Sequence, residues 1–340
     1  MNVKRLSELS GFSPATVSNA LNGKRGVSAA TREKIVQLAR ESGYLKEEEE
    51  NAGREGLIRV VTYRDSGKVF SDSPFFSFLL EGIENECHAL GLETMVVNLY
   101  RHAPDYEARL AELLSDEETG ILLIGTELRS EDAQPFVEAA APLVLLDCWL
   151  PGVPLHSVLM ENEFSVARAV EALVQAGHTA IGYLKSSVRI ANFVQREHGL
   201  VEGLRTHGLT LDARYIIEVP PSIVGACDAM REALESGRVM PTAFFADNDM
   251  IALGAMQTMQ ASGWRIPQDV SIIGFDDIPF SAAFTPGLTT VHVPKKELGR
   301  VAVRRLVDIM QHPATATARL VMDSNLVVRG SVAASRSSQP

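Results

Sequence analysis

The first 46 residues constrain this chain most tightly, because they are basic while everything after them is acidic. Lys4, Arg5, Lys24, Arg25, Arg32, Lys34, Arg40 and Lys46 stand against three Glu there, a net charge of +5. The whole chain of 340 residues carries −11, which leaves −16 for residues 47–340. So lopsided a distribution points to a polyanion, nucleic acid, met at one end only. An acidic run, Glu47-Glu48-Glu49-Glu50, stands directly behind the basic stretch.

Apolar spacing and stop signals in residues 1–46 predict three short helices. Asn2 can cap the first, with Val3, Leu6 and Leu9 on its inner face, and Gly11 breaks the pattern. Ser13-Pro14 is a strong restart: the Ser side chain accepts from a free helix amide, and Pro at the first helical position gives up no bond. Val17, Ala20 and Leu21 form one apolar face before Asn22-Gly23 ends the helix. Ser28 can cap a third, with Ile35, Leu38 and Ala39 inward and Gly43 as its stop. Two helices joined by a tight turn, the second small and polar outside, make a helix-turn-helix. The reading turns Pro14, Ala15, Thr16, Ser18 and Asn19 toward DNA. Thr16 and Ser18 can bond phosphates or bases, Asn19 can pair with adenine, and Ala15 can meet a thymine methyl. Arg25, in the loop beyond, reaches a phosphate or a guanine.

From Leu57 onward apolar runs alternate with helical stretches. Strands are expected at 57–63, 92–100, 120–125 and 143–147, and a second set at 157–161, 180–185, 215–219, 243–247 and 270–277. Continuous apolar strands separated by helices mean parallel sheets covered on both faces. Nine strands suit two sheets, and LPGVP at 150–154 is the expected boundary between them. Cys87, Cys148 and Cys227 are far apart without a CxxC, as expected of reduced cysteines in the cytoplasm. No leader-like apolar stretch and no membrane-spanning run is read.

The body reads as a binder, with no enzyme activity and no metal or cofactor expected. It lacks GxGxxG after the first strand, GxxxxGK[ST], HExxH and GxSxG, and its eight His are scattered singly. Ligands of open parallel sheets sit at the carboxyl ends of strands. There Asp147 closes LVLLD with Trp149 just beyond, Asn248 follows AFFAD, and Asp276 follows SIIGF. Arg196 and Gly199 form an RxxG with Asn192 one turn earlier. Such charged and amide groups beside an aromatic wall suit a sugar or a similar polar ring.

The segment SPATVSNALNGKRGVS, followed by TREKIVQLARESGY, resembles the DNA-binding head of the LacI/GalR family of bacterial transcription regulators. The resemblance implies a small all-α helix-turn-helix head and a two-lobed α/β body like that of periplasmic sugar-binding proteins, two parallel sheets flanked by helices. It places base contacts at Pro14, Ala15, Ser18, Asn19 and Arg25, and an effector pocket at Phe75, Phe76, Asp147, Asn192, Arg196, Asn248 and Asp276. The expected division is a head at 1–46 and a linker at 47–57. A first lobe follows at 58–155 with 289–318, then a second at 156–288 with 319–332, and a disordered tail at 333–340. The late stretch 288–294 is expected to carry the chain back to the first lobe. Two heads on a homodimer would read a pseudo-palindromic operator as a cytoplasmic repressor, under control of a small effector, by family habit a carbohydrate. A nucleobase-like ligand is the alternative, encouraged by Trp149 beside Asp147. A solute receptor or an enzyme on a doubly wound fold stand further off.

The linker departs from the family. Relatives usually carry a Pro-Asn, an Ala-Arg pair and a Leu that wedges into the minor groove. Here LKEEEENAGREGLIRVV has no Pro, and only Ala52 is apolar between Leu45 and Leu57. Four carboxylates would oppose the phosphates, and nothing present can unstack a base step. The expectation is a solvated tether that does not insert.

Overall fold

The protein is described by a computed structural model covering residues 7, 9–21, 27–41, 56–70, 73–313 and 316–335. It divides into two compact units, Met1–Glu55 and Gly56–Pro340.

In the first unit the described helices are α1 (Pro14–Leu21) and α2 (Ala29–Glu41). Ser13 caps α1: its Oγ accepts from the Thr16 amide at 3.2 Å, and Ser28 does the same for Thr31 at 3.2 Å. Val17, Ala20, Ile35 and Ala39 form the small core, with Phe12 and Val27 against it. Gly11 adopts φ 73°, a left-handed turn that suits glycine. The expected helix start at Asn2, Val3 and Leu6, the stops at Asn22-Gly23 and Gly43, and the linker 47–55 lie outside the described residues.

The second unit holds two six-stranded sheets. The first is entirely parallel, and contains β1 (Gly56–Arg64), β2 (Leu92–Tyr100), β3 (Gly120–Ile124), β4 (Leu143–Leu146), β5 (His156–Met160) and a late edge strand, β11 (Arg319–Met322). Its order is β11-β5-β4-β3-β1-β2. The second sheet contains β6 (Ile181–Ser186), β7 (Ile216–Val219), β8 (Ala243–Ala246), β9 (Ser271–Asp276), β10 (Thr289–His292) and β12 (Asn325–Val327). Its order is β12-β10-β9-β8-β6-β7, with only β12 antiparallel. The central strands are apolar and buried, as a doubly covered parallel sheet requires.

The covering helices pair closely. On the first lobe α3 (Pro74–Ala89) packs against α11 (Lys295–Gln311), and α4 (Tyr106–Leu114) lies on the other face with the short α5 (Gln134–Val137). On the second, α6 (Glu163–Gln175) pairs with α7 (Ala191–Thr206), and α8 (Ile223–Glu235) with α9 (Asp249–Ala261). The short α10 (Pro279–Ala283) follows β9. Each pair closes over glycine. A Cβ at Gly82 would lie 2.1 Å from the Lys296 carbonyl oxygen, one at Gly199 2.3 Å from that of Glu163, and one at Gly254 2.4 Å from that of Ile223.

The lobe boundaries differ from the sequence expectation. Residues 157–161 do not open the second lobe, because β5 lies in register beside β4, with His156 opposite Val144. LPGVP is therefore only the turn between those two strands. Residues 289–292 stay in the second sheet, bonded to β9 and β12, so the chain returns at 293–294. The segment 319–332 is split, since β11 extends the first sheet and only β12 the second. The chain thus crosses between lobes three times, near 161–162, 293–294 and 323–324. The tail expectation also changes: Ser331 donates to the Ile272 carbonyl at 2.6 Å, His178 bonds the Ala333 carbonyl at 3.0 Å, and the Ser335 amide donates to Ala176 at 2.8 Å. Residues 333–335 are therefore packed; residues 336–340 lie outside the described residues.

Candidate functional site

The strand ends of both sheets converge on one narrow cleft. Its lining includes Phe75, Phe76, Asp147, Asn192, Arg196, Asn248 and Asp276, together with Val69, Ser73, Thr126, Ile190 and Phe193. Seven of the eight residues expected of an effector pocket are therefore together. Trp149 is not among them: it lies under the Arg319 guanidinium, 4.2 Å from its ring centroid, on the first lobe's edge.

Each side chain is placed by its element. The end of β4 leads into Asp147 at φ 61°, a left-handed conformation that Asp tolerates better than most residues. Its carboxylate accepts from Thr126 Oγ1 and, at 3.1 Å, from Asn192 Nδ2, while the same Asn192 amide bonds the Asp147 carbonyl at 2.9 Å. Asn192 comes from the second lobe, so this contact ties the two lobes beneath the ligand space. Burial pushes the Asp147 carboxyl up to about 7, against the opposing pull of Thr126 and Arg196.

Arg196 projects from α7 one helical turn after Asn192, and Gly199 explains the RxxG spacing. With no side chain at 199, α7 meets the start of α6 at backbone distance, which brings Arg196 to Asn162, the residue before α6. Arg196 Nε donates to Asn162 Oδ1 at 2.9 Å and Nη1 to the Asp247 carbonyl at 2.5 Å, and its guanidinium lies 3.6 Å from the Phe275 ring centroid. Only Nη2 faces Asp276, at 3.6 Å, an ion pair too long for a hydrogen bond. A buried charge pair held apart in this way leaves both partners room to bond hydroxyls.

Asp276 and Asp277 both have positive φ, 113° and 54°. Their turn is held by Lys295 at the start of α11, whose ammonium donates to the carbonyls of Asp276, Asp277 and Val293. Burial raises the Asp276 carboxyl, opposed by Arg196 and Lys295, and lowers the Lys295 ammonium. Asp277 turns away to His292 at 2.9 Å and Arg329 at 2.6 Å. Asn248 caps α9, its Oδ1 accepting from the Ile251 amide at 2.9 Å, so the amide group it can bring to the cleft is Nδ2.

Behind the lining lie two further buried carboxylates. Asp247 binds Tyr183, Arg189 at 2.8 Å and the Ser186 amide at 2.7 Å, and burial lifts it to about 6. Asp249 accepts from Ser281 at 2.6 Å, Thr290 at 2.5 Å and the Ile278 amide at 3.0 Å, and burial lifts it to about 7. Sequence reading passed over Thr126, Glu127 and Lys295. An acid just past an apolar strand was the signal at Asp147, and Glu127 shows the same signal after GILLIG.

In the head, Pro14 at the start of α1 is exposed, and Thr16 and Asn19 further along it are half-buried. The Thr16 hydroxyl pairs with Ser13 Oγ at 2.9 Å, so it supports the cap as well as facing outward. The side chains of Ala15 and Ser18, and Arg25 altogether, lie outside the described residues. Among the described residues no helix is long and apolar enough to cross a membrane.

This two-part arrangement has close counterparts. Residues 5–47 match the model of bacterial regulatory proteins, lacI family, and residues 170–332 match a periplasmic binding protein-like domain. The chain is 31% identical over 327 residues to the HTH-type transcriptional repressor CytR of Escherichia coli (strain K12), covering 95% of this chain and 93% of that one. A transcriptional regulator CelR–cellobiose complex superposes with a TM-score of 0.73 at 26% identity, over 97% of this chain and 99% of that one. The lac repressor dimer bound to operator and the anti-inducer ONPF does so with 0.72 at 26%, over 98% and 99%. With two capped helices in its first unit and two largely parallel sheets meeting at a polar cleft in its second, this chain belongs to the lacI family of bacterial regulatory proteins and is a DNA-binding transcriptional regulator.

Proposed function

We propose that the protein is a homodimeric, cytoplasmic repressor whose hold on operator DNA is set by an uncharged, hydroxyl-rich effector, most simply a sugar, bound in the cleft. The observation that carries this reading is the loose pair of Arg196 and Asp276, 3.6 Å apart and buried, with Asp147, Asn192 and Asn248 around it. Adjacent hydroxyls of one ring can donate to Asp276 and accept from Arg196, with Phe75, Phe76 and Phe193 against its apolar faces. Cellobiose in the structurally similar CelR complex agrees with that chemistry. The ring of Trp149 stacks on Arg319 and does not line the cleft, so a nucleobase-like effector, the alternative reading, would stack on Phe75, Phe76 or Phe193 instead.

The DNA contacts proposed are Pro14, Ala15, Thr16, Ser18 and Asn19 on α1, with Arg25 beyond it. A single head offers few contacts, so two on one dimer are needed for useful affinity. The relationship with a lac repressor dimer on its operator supports that assembly. Because effector and DNA act on one protein, each changes the affinity of the other by the same factor.

A thermal-shift screen of ribose, glucose, cellobiose, cytidine and hypoxanthine tests the reading, followed by operator binding with each hit. The expected hit is a sugar that raises Tm, changes operator affinity, and loses both effects in Asp276→Asn and Arg196→Lys. A hit unaffected by both substitutions overturns the proposed site.

A further inference from the structure

Thr126 and Glu127 are consecutive, and both carry buried oxygen ligands just beyond β3. Thr126 holds Asp147. Glu127, 4% exposed, turns the other way and grips the segment that follows β1. Its Oε2 accepts from the amides of Asp65 and Gly67, each at 2.8 Å, and its Oε1 accepts from Ser66 Oγ at 3.0 Å and the Val69 amide at 3.2 Å. One carboxylate thus satisfies three backbone donors and a hydroxyl, a ring of charge-assisted bonds that fixes a short loop without any regular ladder. Gly67 sits in the middle at φ 68°, which the wrap around a carboxylate requires.

That loop delivers Val69. The Val69 side chain, 7% exposed, packs with Ile190 and Phe193 of the second lobe, with Val188 beside them, in an apolar cluster of its own. Val69, Ile190 and Phe193 all line the cleft. The cluster is separate from the larger hydrophobic cores and joins the two lobes at the cleft.

We propose that Glu127 is a positioning residue for the effector cleft: by fixing Asp65–Val69 it presents Val69 as a latch onto Ile190 and Phe193, and so holds the lobes together at the rim. The proposal rests on the effector reading for its significance, but the latch is a property of the protein alone. Gln at 127 keeps the volume and loses half of the acceptor capacity, turning an NH2 group toward backbone donors. Asp65 at the start of the loop is also paired, with Arg129 at 2.7 Å and His102 at 2.9 Å, so the loop stays attached at that end when Glu127 is changed.

Amide hydrogen exchange on the full-length, ligand-free protein tests this. In Glu127→Gln, exchange of the Asp65, Gly67 and Val69 amides should rise at least about tenfold, the effect expected of losing bonds to a charged acceptor. Exchange of the first bonded amides of α7, 194–197, which Glu127 does not touch, should rise with it. Val69→Ala should loosen 194–197 alone, leaving Asp65 and Gly67 protected. A Glu127→Gln response confined to 65–69, or a Val69→Ala protein with 194–197 still fully protected, would show the rim contact to be passive and overturn the proposal. Either result leaves the effector reading intact, because that reading stands or falls on ligand binding.

Discussion

Asp147 shows how one residue is asked to serve two incompatible ends. Buried and lifted to about 7, it is an acid whose folded form holds its proton far more tightly than the unfolded chain, where the value is about 3.9. The folded state therefore gains relative to the unfolded one at low pH. Its contribution is lost as pH climbs from about 4 through 7, at up to about 1.4 kcal/mol per pH unit. Asp249, also near 7, and Asp247, near 6, act in the same direction. Asp147→Asn should consequently flatten the decline of Tm between pH 5 and pH 8 while abolishing the response to effector. Asn tolerates the left-handed backbone, and can donate to Thr126 while still accepting from Asn192. Melting curves that stay parallel to those of the parent at every pH would show that Asp147 is not the group responsible. Asn192 and Arg196 were read from their spacing on a helix, whereas Asp147, Asn248 and Asp276 were legible in the sequence because each ends or follows an apolar strand, a position where chain direction alone aims a side chain outward. Trp149 misled for the same reason: two residues past a strand is enough for the turn to carry a ring to the other side. Phe75 and Phe76 carried no such local signal, and only the family resemblance pointed to them.

Among the elements, the strands announced themselves and their partners did not. The 92–100 prediction coincides with β2, and 57–63 lies within β1, since long apolar runs between turn residues admit few other readings. Which sheet a strand joins depends on contacts remote in sequence, so 157–161 and 289–292 were assigned to the wrong lobes. Helix pairing was equally hidden, because its signal is an absent side chain. Gly299 of α11 lies where a Cβ would stand 2.5 Å from the Leu79 carbonyl oxygen of α3. Gly299→Ala removes a helix-weakening residue and would stabilise an isolated helix by roughly 1 kcal/mol. Here the backbone clash should win, with a net loss of about 1–3 kcal/mol measured by urea unfolding. A more stable variant would mean that α3 and α11 can separate without cost.

For the whole molecule the open question is how the body governs the head, and the linker's charge bears on it. Replacing Glu47–Glu50 with Ala removes four negative charges from a chain whose partner is a polyanion. Operator affinity at fixed salt should rise, and effector response should persist. If both collapse, the acidic run is docked in a specific way and the tether reading fails. The connectivity of the body has a different consequence, one for inheritance. β11 and β12 sit at opposite lobes yet are neighbours in sequence, and each completes a sheet begun more than a hundred residues earlier. No single cut frees one lobe with its sheet intact, whereas one cut near residue 55 frees the head. Recombination can therefore pair this sensor with a new reader of DNA in one event, while the cleft, built from both lobes, is passed on whole.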